Sequence, residues 1–83
     1  MTTLLEWSPA KFEKELDASD FTHAQFAREL SYLTNSDTSP QSVREWKLGR
    51  STPRFNTAMA ISYLMQVHID RLTEKVPVTE TRA

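Results

Sequence analysis

The sequence contains a single glycine, Gly49, among 83 residues. Barrels, sandwiches and phosphate-binding loops depend on glycine at their tight turns, so this composition nearly excludes such folds. The chain also lacks cysteine, and therefore neither a disulfide framework nor a thiolate metal cluster can hold it together. A chain of this size must fold on the packing of one small core, with or without the help of a partner chain.

Capping residues mark four helix starts. Ser8-Pro9, Ser39-Pro40 and Thr52-Pro53 each combine an N-cap residue with a proline at the first helical position. The remaining start is Thr22, which has Gln25 three residues later as its capping-box partner. No strand pattern accompanies these signals. The sequence therefore predicts an all-α fold, a small bundle of four to five helices.

The helix pattern extends over most of the chain. We predict one domain, residues 1–76, followed by a short flexible tail, residues 77–83. No proline or glycine interrupts the fourth helix before Pro77, so it is either one long helix or two helices with a bend near Gln66. No apolar run approaches the roughly 20 residues that span a bilayer. Because the first residues do not resemble a signal peptide, we expect a cytoplasmic protein without membrane contact.

Charge is unevenly distributed along the chain. The net charge is only -1, but residues 1–20 carry two lysines against five acidic residues. Residues 39–54 carry four basic residues against one glutamate. A domain with one acidic and one basic segment has an oriented electric field even when its net charge is small. The basic segment is where we expect a polyanion to bind.

Three segments carry a family resemblance. They are Thr-His-Ala-Gln-Phe-Ala (22–27), Ser-Pro-Gln-Ser-Val-Arg-Glu-Trp-Lys-Leu-Gly-Arg (39–50) and Pro-Arg-Phe (53–55) with the apolar residues that follow to position 64. In this register they resemble helices two, three and four of the Cro/C1-type (XRE) helix-turn-helix family, which includes the small lambdoid phage repressors. The resemblance covers residues 22–64. It implies a lambda-repressor-like bundle that binds DNA, in a phage, mobile-element or toxin–antitoxin setting.

The chain departs from this family in the turn. About six extra residues lie between Leu30 and Ser39, where the family leaves three or four residues between its helices. We expect either a second helix that continues through Leu33 or an ordered loop. In both cases the turn between helices two and three is lengthened. Tyr32 and Asn35 then become further candidates for DNA contact, and the alternative is that the loop simply faces solvent.

The third helix supplies the candidate site. With Val43 and Trp46 facing inward, its opposite side turns to solvent. Glutamine can bond adenine, arginine can bond guanine and glutamate can accept from cytosine, so base readout is assigned to three residues: Gln41, Arg44 and Glu45. The alternative for Glu45 is that it only pairs with a neighbouring arginine or lysine. Pro40 occupies a base-reading position of the family but cannot donate a side-chain hydrogen bond. Contacts to phosphates or to the minor groove are assigned to six further residues: Thr22, His23, Ser42, Lys47, Arg50 and Arg54.

The fourth helix is apolar on two faces. One face is expected to close the core: Phe55, Met59, Ala60, Leu64 and Val67. The other face is expected to form a dimer interface, which we assign to four residues: Ile61, Met65, His68 and Leu72. The alternative is that residues 67–76 bend into a fifth helix and cover that face.

These patterns predict a sequence-specific, double-stranded DNA-binding regulator, most simply a repressor that acts as a homodimer on a palindromic operator with helix 40–48 in the major groove. One alternative is a protein-interaction module, an antitoxin or adaptor that uses the fourth helix, and another is a recombination directionality factor. An enzyme is not expected, because the chain has no cysteine and only two histidines, distant in sequence. No cofactor or metal is expected either.

Overall fold

The computed structural model describes residues 3–77 as four helices and a two-stranded sheet. In chain order the elements are β1 (Thr3–Trp7), α1 (Pro9–Ala18), α2 (His23–Thr34), α3 (Pro40–Leu48), α4 (Phe55–Met65), a 3₁₀ turn (Ile69–Arg71) and β2 (Thr73–Pro77). The predicted all-α class is therefore wrong, and the fold is α+β. None of the helices within residues 3–77 has the length and apolar character needed to cross a membrane.

The sheet joins the two ends of the described chain. β1 and β2 are antiparallel, with Thr3 opposite Pro77 and Trp7 opposite Thr73. The Ser8 N–H donates to the Leu72 carbonyl at 2.9 Å, which continues the ladder by one pair. Two five-residue strands that pair across almost the whole sequence leave no local signal, and this is why the sequence did not predict them. Of the predicted tail, Pro77 is the last residue of β2, and residues 78–83 lie outside the described residues.

The first three helix starts are confirmed. The hydroxyls of Ser8 and Ser39 accept hydrogen bonds from the third residue of α1 and α3. Thr22 forms a complete capping box with Gln25. The fourth start is wrong by two residues, because α4 begins at Phe55 and its cap, Arg54, makes no side-chain capping bond.

The extra residues between α2 and α3 are divided between a longer α2 and an ordered loop. α2 continues to Thr34, beyond Leu33, and ends at Asn35 in the left-handed conformation. A five-residue turn, residues 35–39, then leads into α3. The Ser31 hydroxyl accepts from the Thr38 N–H at 2.7 Å and also lies 3.1 Å from the Thr38 carbonyl. This hydroxyl fixes the lengthened turn against α2.

The predicted core face of α4 is partly confirmed, because Ala60, Leu64 and Val67 pack against the core, but the division between the two faces is wrong. Ile61 is fully buried in the core, together with Leu72 from the segment after the helix. Phe55 and Met59, predicted to close the core, are 75% and 42% exposed. The core itself contains nine buried residues: Phe12, Leu16, Phe26, Ala27, Leu30, Val43, Trp46, Ile61 and Leu72.

The four residues assigned to the dimer interface therefore do not form one continuous surface. Ile61 and Leu72 are unavailable to a partner, and Met65 is partly buried against the same core. His68 is exposed, but its Nδ1 faces the Asp70 N–H and lies 3.4 Å from the Asp70 carboxylate. α4 ends where Gln66 adopts the left-handed conformation. The chain then turns through the 3₁₀ segment into β2, so the bend near Gln66 is present and a fifth α-helix is not.

Candidate nucleic-acid interface

Two buried side chains set the orientation of α3. Val43 is fully buried and Trp46 is 8% exposed, so one side of the helix faces the core. The Trp46 carbonyl accepts a hydrogen bond from the Trp7 indole at 3.3 Å, which connects the end of α3 to β1. Because successive residues are about 100° apart around a helix, the side opposite this pair faces solvent.

Four residues form the outer face of α3, spaced as i, i+3, i+4 and i+7: Gln41, Arg44, Glu45 and Leu48. Gln41 and Arg44 are exposed, and Glu45 is half-buried. The structure thus brings the three predicted base readers onto one face. Leu48 was missed in the sequence, although its i+7 spacing from Gln41 identifies it; its side chain is 49% exposed on the same face.

A small polar network organises this face. The Gln41 amide donates to Glu45 Oε2 at 2.7 Å, and an Arg50 guanidinium nitrogen lies 3.8 Å from the same oxygen. The Glu45 carboxylate therefore holds two side chains that were expected to meet DNA. Arg44 is exposed and forms no ion pair with residues 3–77. It is the base-reading candidate with the greatest freedom to reach a ligand.

His23 and Lys47 define one flank of α3. Lys47 Nζ lies 3.4 Å from Nε2 of His23, the first residue of α2. The Thr22 hydroxyl accepts from the Gln25 N–H at 3.1 Å, and so it caps α2 at this end. The first N–H groups of a helix have no intrahelical acceptor, and the helix dipole favours an anion beside them. A lysine at that end makes the flank suitable for a phosphate.

Ser42 and Arg54 lie on the other flank. Both line an open polar groove of about 530 Å³ between the 35–39 turn, α3 and the start of α4. The remaining lining residues are mostly hydroxyl or amide side chains, with one carboxylate, Asp37. The Ser42 hydroxyl is 3.2 Å from the Ser39 hydroxyl at the start of α3. This groove offers one guanidinium and several neutral donors to an anionic backbone.

Only some of the basic residues elsewhere are engaged within the fold. Lys11 donates to the Thr73 and Asp70 carbonyls at 2.7 and 3.2 Å, and Arg71 pairs with Glu15 at 3.1 Å. Lys14, Arg28 and Lys75 are exposed without an ion pair among residues 3–77, as Arg44 and Arg54 are beside α3. Free positive charge is therefore not confined to α3, and what distinguishes this helix is its exposed polar face.

Comparison with known proteins gives no family. No protein-family model matches the chain, and no curated protein or solved structure matches it either. Among residues 3–77, no three His, Asp or Glu side chains come together as a metal site would require. The arrangement around α3 is therefore the observation from which a function must be argued.

Proposed function

We propose that the protein is a sequence-specific, double-stranded DNA-binding regulator that inserts α3 into the major groove. The observation that carries the proposal is the position of the exposed polar face of α3 between two flanks that each offer one basic side chain, Lys47 or Arg54. His23 and Lys47 lie on one side, and Ser42 and Arg54 lie on the other. An α-helix fits the major groove, and the phosphates of the two strands then lie on either side of it.

The roles within this interface follow from side-chain chemistry. Arg44 bonds the acceptor edge of guanine, and Gln41 bonds adenine once its amide leaves Glu45. Glu45 accepts from a cytosine amino group, while Leu48 offers an apolar contact to a thymine methyl group. Arg50 and the two flanks bind phosphates and release counterions, which makes the affinity salt-dependent.

The biological action proposed is repression by occupancy of an operator. A short helix reads few base pairs, so two copies on a palindromic site give the required specificity. Their recognition helices would be one helical turn of DNA apart, about 34 Å. The protein has no catalytic role in this proposal, and it acts in the cytoplasm of a bacterium, encoded there by the host or by a phage. The proposal agrees with the resemblance of residues 22–64 to the Cro/C1-type family.

Selection of bound sequences from a random duplex pool tests the proposal directly. At near-physiological salt we expect enrichment of a palindrome whose half-sites are one helical turn apart. A single enriched half-site would keep DNA recognition and contradict the symmetric dimer. If the folded protein enriches no sequence, the proposal is wrong.

A protein-interaction module is the second candidate. It is favoured by the exposure of Phe55, Met59 and Tyr63 on α4, at 75%, 42% and 74%. Salt distinguishes the two candidates, because counterion release weakens DNA binding steeply as salt rises. An apolar helix interface responds little to the same change.

A further inference from the structure

We propose that the outer face of α4 is a self-association surface, and that it holds two copies together only weakly. The surface consists of Phe55, Met59 and Tyr63, one above another at intervals of four residues, and is called the α4 stripe below. All three side chains are exposed, the two aromatic ones by about three quarters. This inference deepens the proposed function, because it names the contact between the two copies on DNA.

The α4 stripe lies on a helix without charged residues. Residues 55–67 contain no Asp, Glu, Lys or Arg. A surface helix normally carries charged residues on its solvent side, and a helix that is apolar all round is normally buried. Two identical copies also present identical charges to each other, so a self-association surface works best when it is neutral. The exposed acidic residues of α1 and the basic ones of α3 would repel their own copies.

The shape of the surface around the α4 stripe suits a second copy of the protein. In an antiparallel pair of α4 helices centred on Met59, Phe55 of one copy is level with Tyr63 of the other. An open groove of about 670 Å³ lies beside Tyr63 and is also lined by Met59, Leu64 and Val67. At the opposite end, a narrower apolar groove of about 230 Å³ lies beside Phe55 and reaches Leu5 of β1. Each end of the stripe therefore offers a groove to the aromatic residue of the copy.

The exposed area of the α4 stripe predicts how strongly two copies bind each other. An aromatic side chain offers about 150–250 Å² in total, so the three exposed residues together present roughly 400 Å² per copy. Leu5, at 51% exposure, extends this area slightly. Stable complexes bury about 800 Å² per partner. The α4 stripe supplies about half of that, so the protein is a monomer at micromolar concentration and pairs when DNA holds two copies side by side.

A dilution series without DNA is the first test. Backbone amide NMR spectra recorded from millimolar to low micromolar protein should show concentration-dependent shifts in α4 and near Leu5, and none on α3. The absence of any concentration dependence, or shifts located elsewhere, would overturn the inference. Because no DNA is present, this failure is separate from a failure of the proposed DNA binding.

The decisive test uses the central residue of the stripe. In the antiparallel pair Met59 faces Met59 of the copy, so Met59→Glu and Met59→Lys should each abolish self-association by placing like charges together. Mixing the two variants brings opposite charges together. We expect unlabelled Met59→Lys to shift the α4 signals of labelled Met59→Glu, and no mixing effect would overturn the two-fold arrangement. Tyr32→Glu with Tyr32→Lys is the matched control, since Tyr32 is 89% exposed on α2, and its mixture should show no such shift.

Discussion

Lys47 Nζ lies 3.4 Å from His23 Nε2, so a side chain of α3 meets the first residue of α2. An ammonium group can only donate, so this contact is a hydrogen bond in the tautomer whose Nε2 carries no proton. The contact holds a positive charge at the end of α2 where N–H groups have no helical acceptor. One face of the molecule thus combines a helix N-terminus with a fixed cation.

Replacement of Lys47 by alanine tests this flank. We expect Lys47→Ala to weaken binding to specific and to scrambled duplexes by the same factor, because a phosphate contact carries no sequence information. The slope of log affinity against log salt should fall by about 1. Fluorescence anisotropy titrations at several salt concentrations measure both effects. Lys14→Ala, on the exposed side of α1, is the control, and a loss confined to the specific duplex would instead make Lys47 a base reader.

Replacement of Arg44 should change the sequence preference, whereas replacement of Lys47 should weaken binding to all sequences alike. Arg44→Ala is expected to relax base choice at one position of each half-site, with a loss of about 1–3 kcal/mol on the preferred sequence. The salt slope should change little. Repeated selection with the variant shows whether that position loses its preference. Arg28→Ala, exposed on α2, controls for the removal of one positive charge. An unchanged preference would remove Arg44 from the base readers.

Glu45 restrains two of its neighbours. Its carboxylate holds Gln41 at 2.7 Å and lies 3.8 Å from Arg50. Glu45→Ala should raise affinity for random duplex severalfold, because it removes a negative charge from the interface and releases Arg50 for phosphate contact. Discrimination between sequences should decrease. Titrations with random and selected duplexes measure both quantities, and unchanged random-duplex affinity would show that the carboxylate lies away from the DNA.

Local features of this fold were predictable and long-range ones were not. The caps at Ser8, Thr22 and Ser39 depend on bonds that span three residues, so the sequence displays them directly. The outer face of α3 follows in the same way from Val43 and Trp46. The base-reading candidates therefore share a face as predicted, while their binding to DNA stays a prediction.

The orientation of α4 illustrates the limit. Both of its faces are apolar, so periodicity alone could not decide which residues are buried. The choice depends on where the chain returns after Gln66: Leu72 packs into the core beside Ile61 because β2 pairs with β1. That pairing joins opposite ends of the sequence and was not visible in either strand. The wrong interface residues are a direct consequence of the missed sheet.

The register of the sheet has its own test. Glu6 is directly opposite Glu74, and both side chains are exposed. Like charges at such a pair destabilise a sheet, and opposite charges stabilise it by about 0.2–1 kcal/mol. Glu6→Lys should therefore raise the free energy of unfolding, measured by urea denaturation. Glu13→Lys, exposed on α1, is the control for the change in net charge. If Glu6→Lys gives no gain over this control, the strands do not pair in this register.

Two residues have a left-handed backbone conformation, and their substitution should change the stability of the protein in opposite directions. Gly49, at φ 78°, ends α3, and a Cβ there would lie 3.2 Å from Pro9 Cγ. Gln66, at φ 57°, ends α4 in the same left-handed conformation, although it carries a Cβ. Because that region costs a residue with a Cβ about 1–2 kcal/mol, Gly49→Ala should destabilise the protein by at least about 1 kcal/mol.

Gln66→Gly should stabilise the protein, by up to about 1 kcal/mol, since glycine removes the strain but adds freedom to the unfolded chain. The bonds that end α4, from the N–H groups of Gln66 and Val67, are backbone bonds and survive the change. The urea denaturation midpoints of both variants give the two changes in the free energy of unfolding, when the slope of the free energy against urea concentration is the same as in the unsubstituted protein. A loss of stability in Gln66→Gly would contradict the prediction, because it would show that the strain at residue 66 is smaller than the entropy that glycine adds to the unfolded chain.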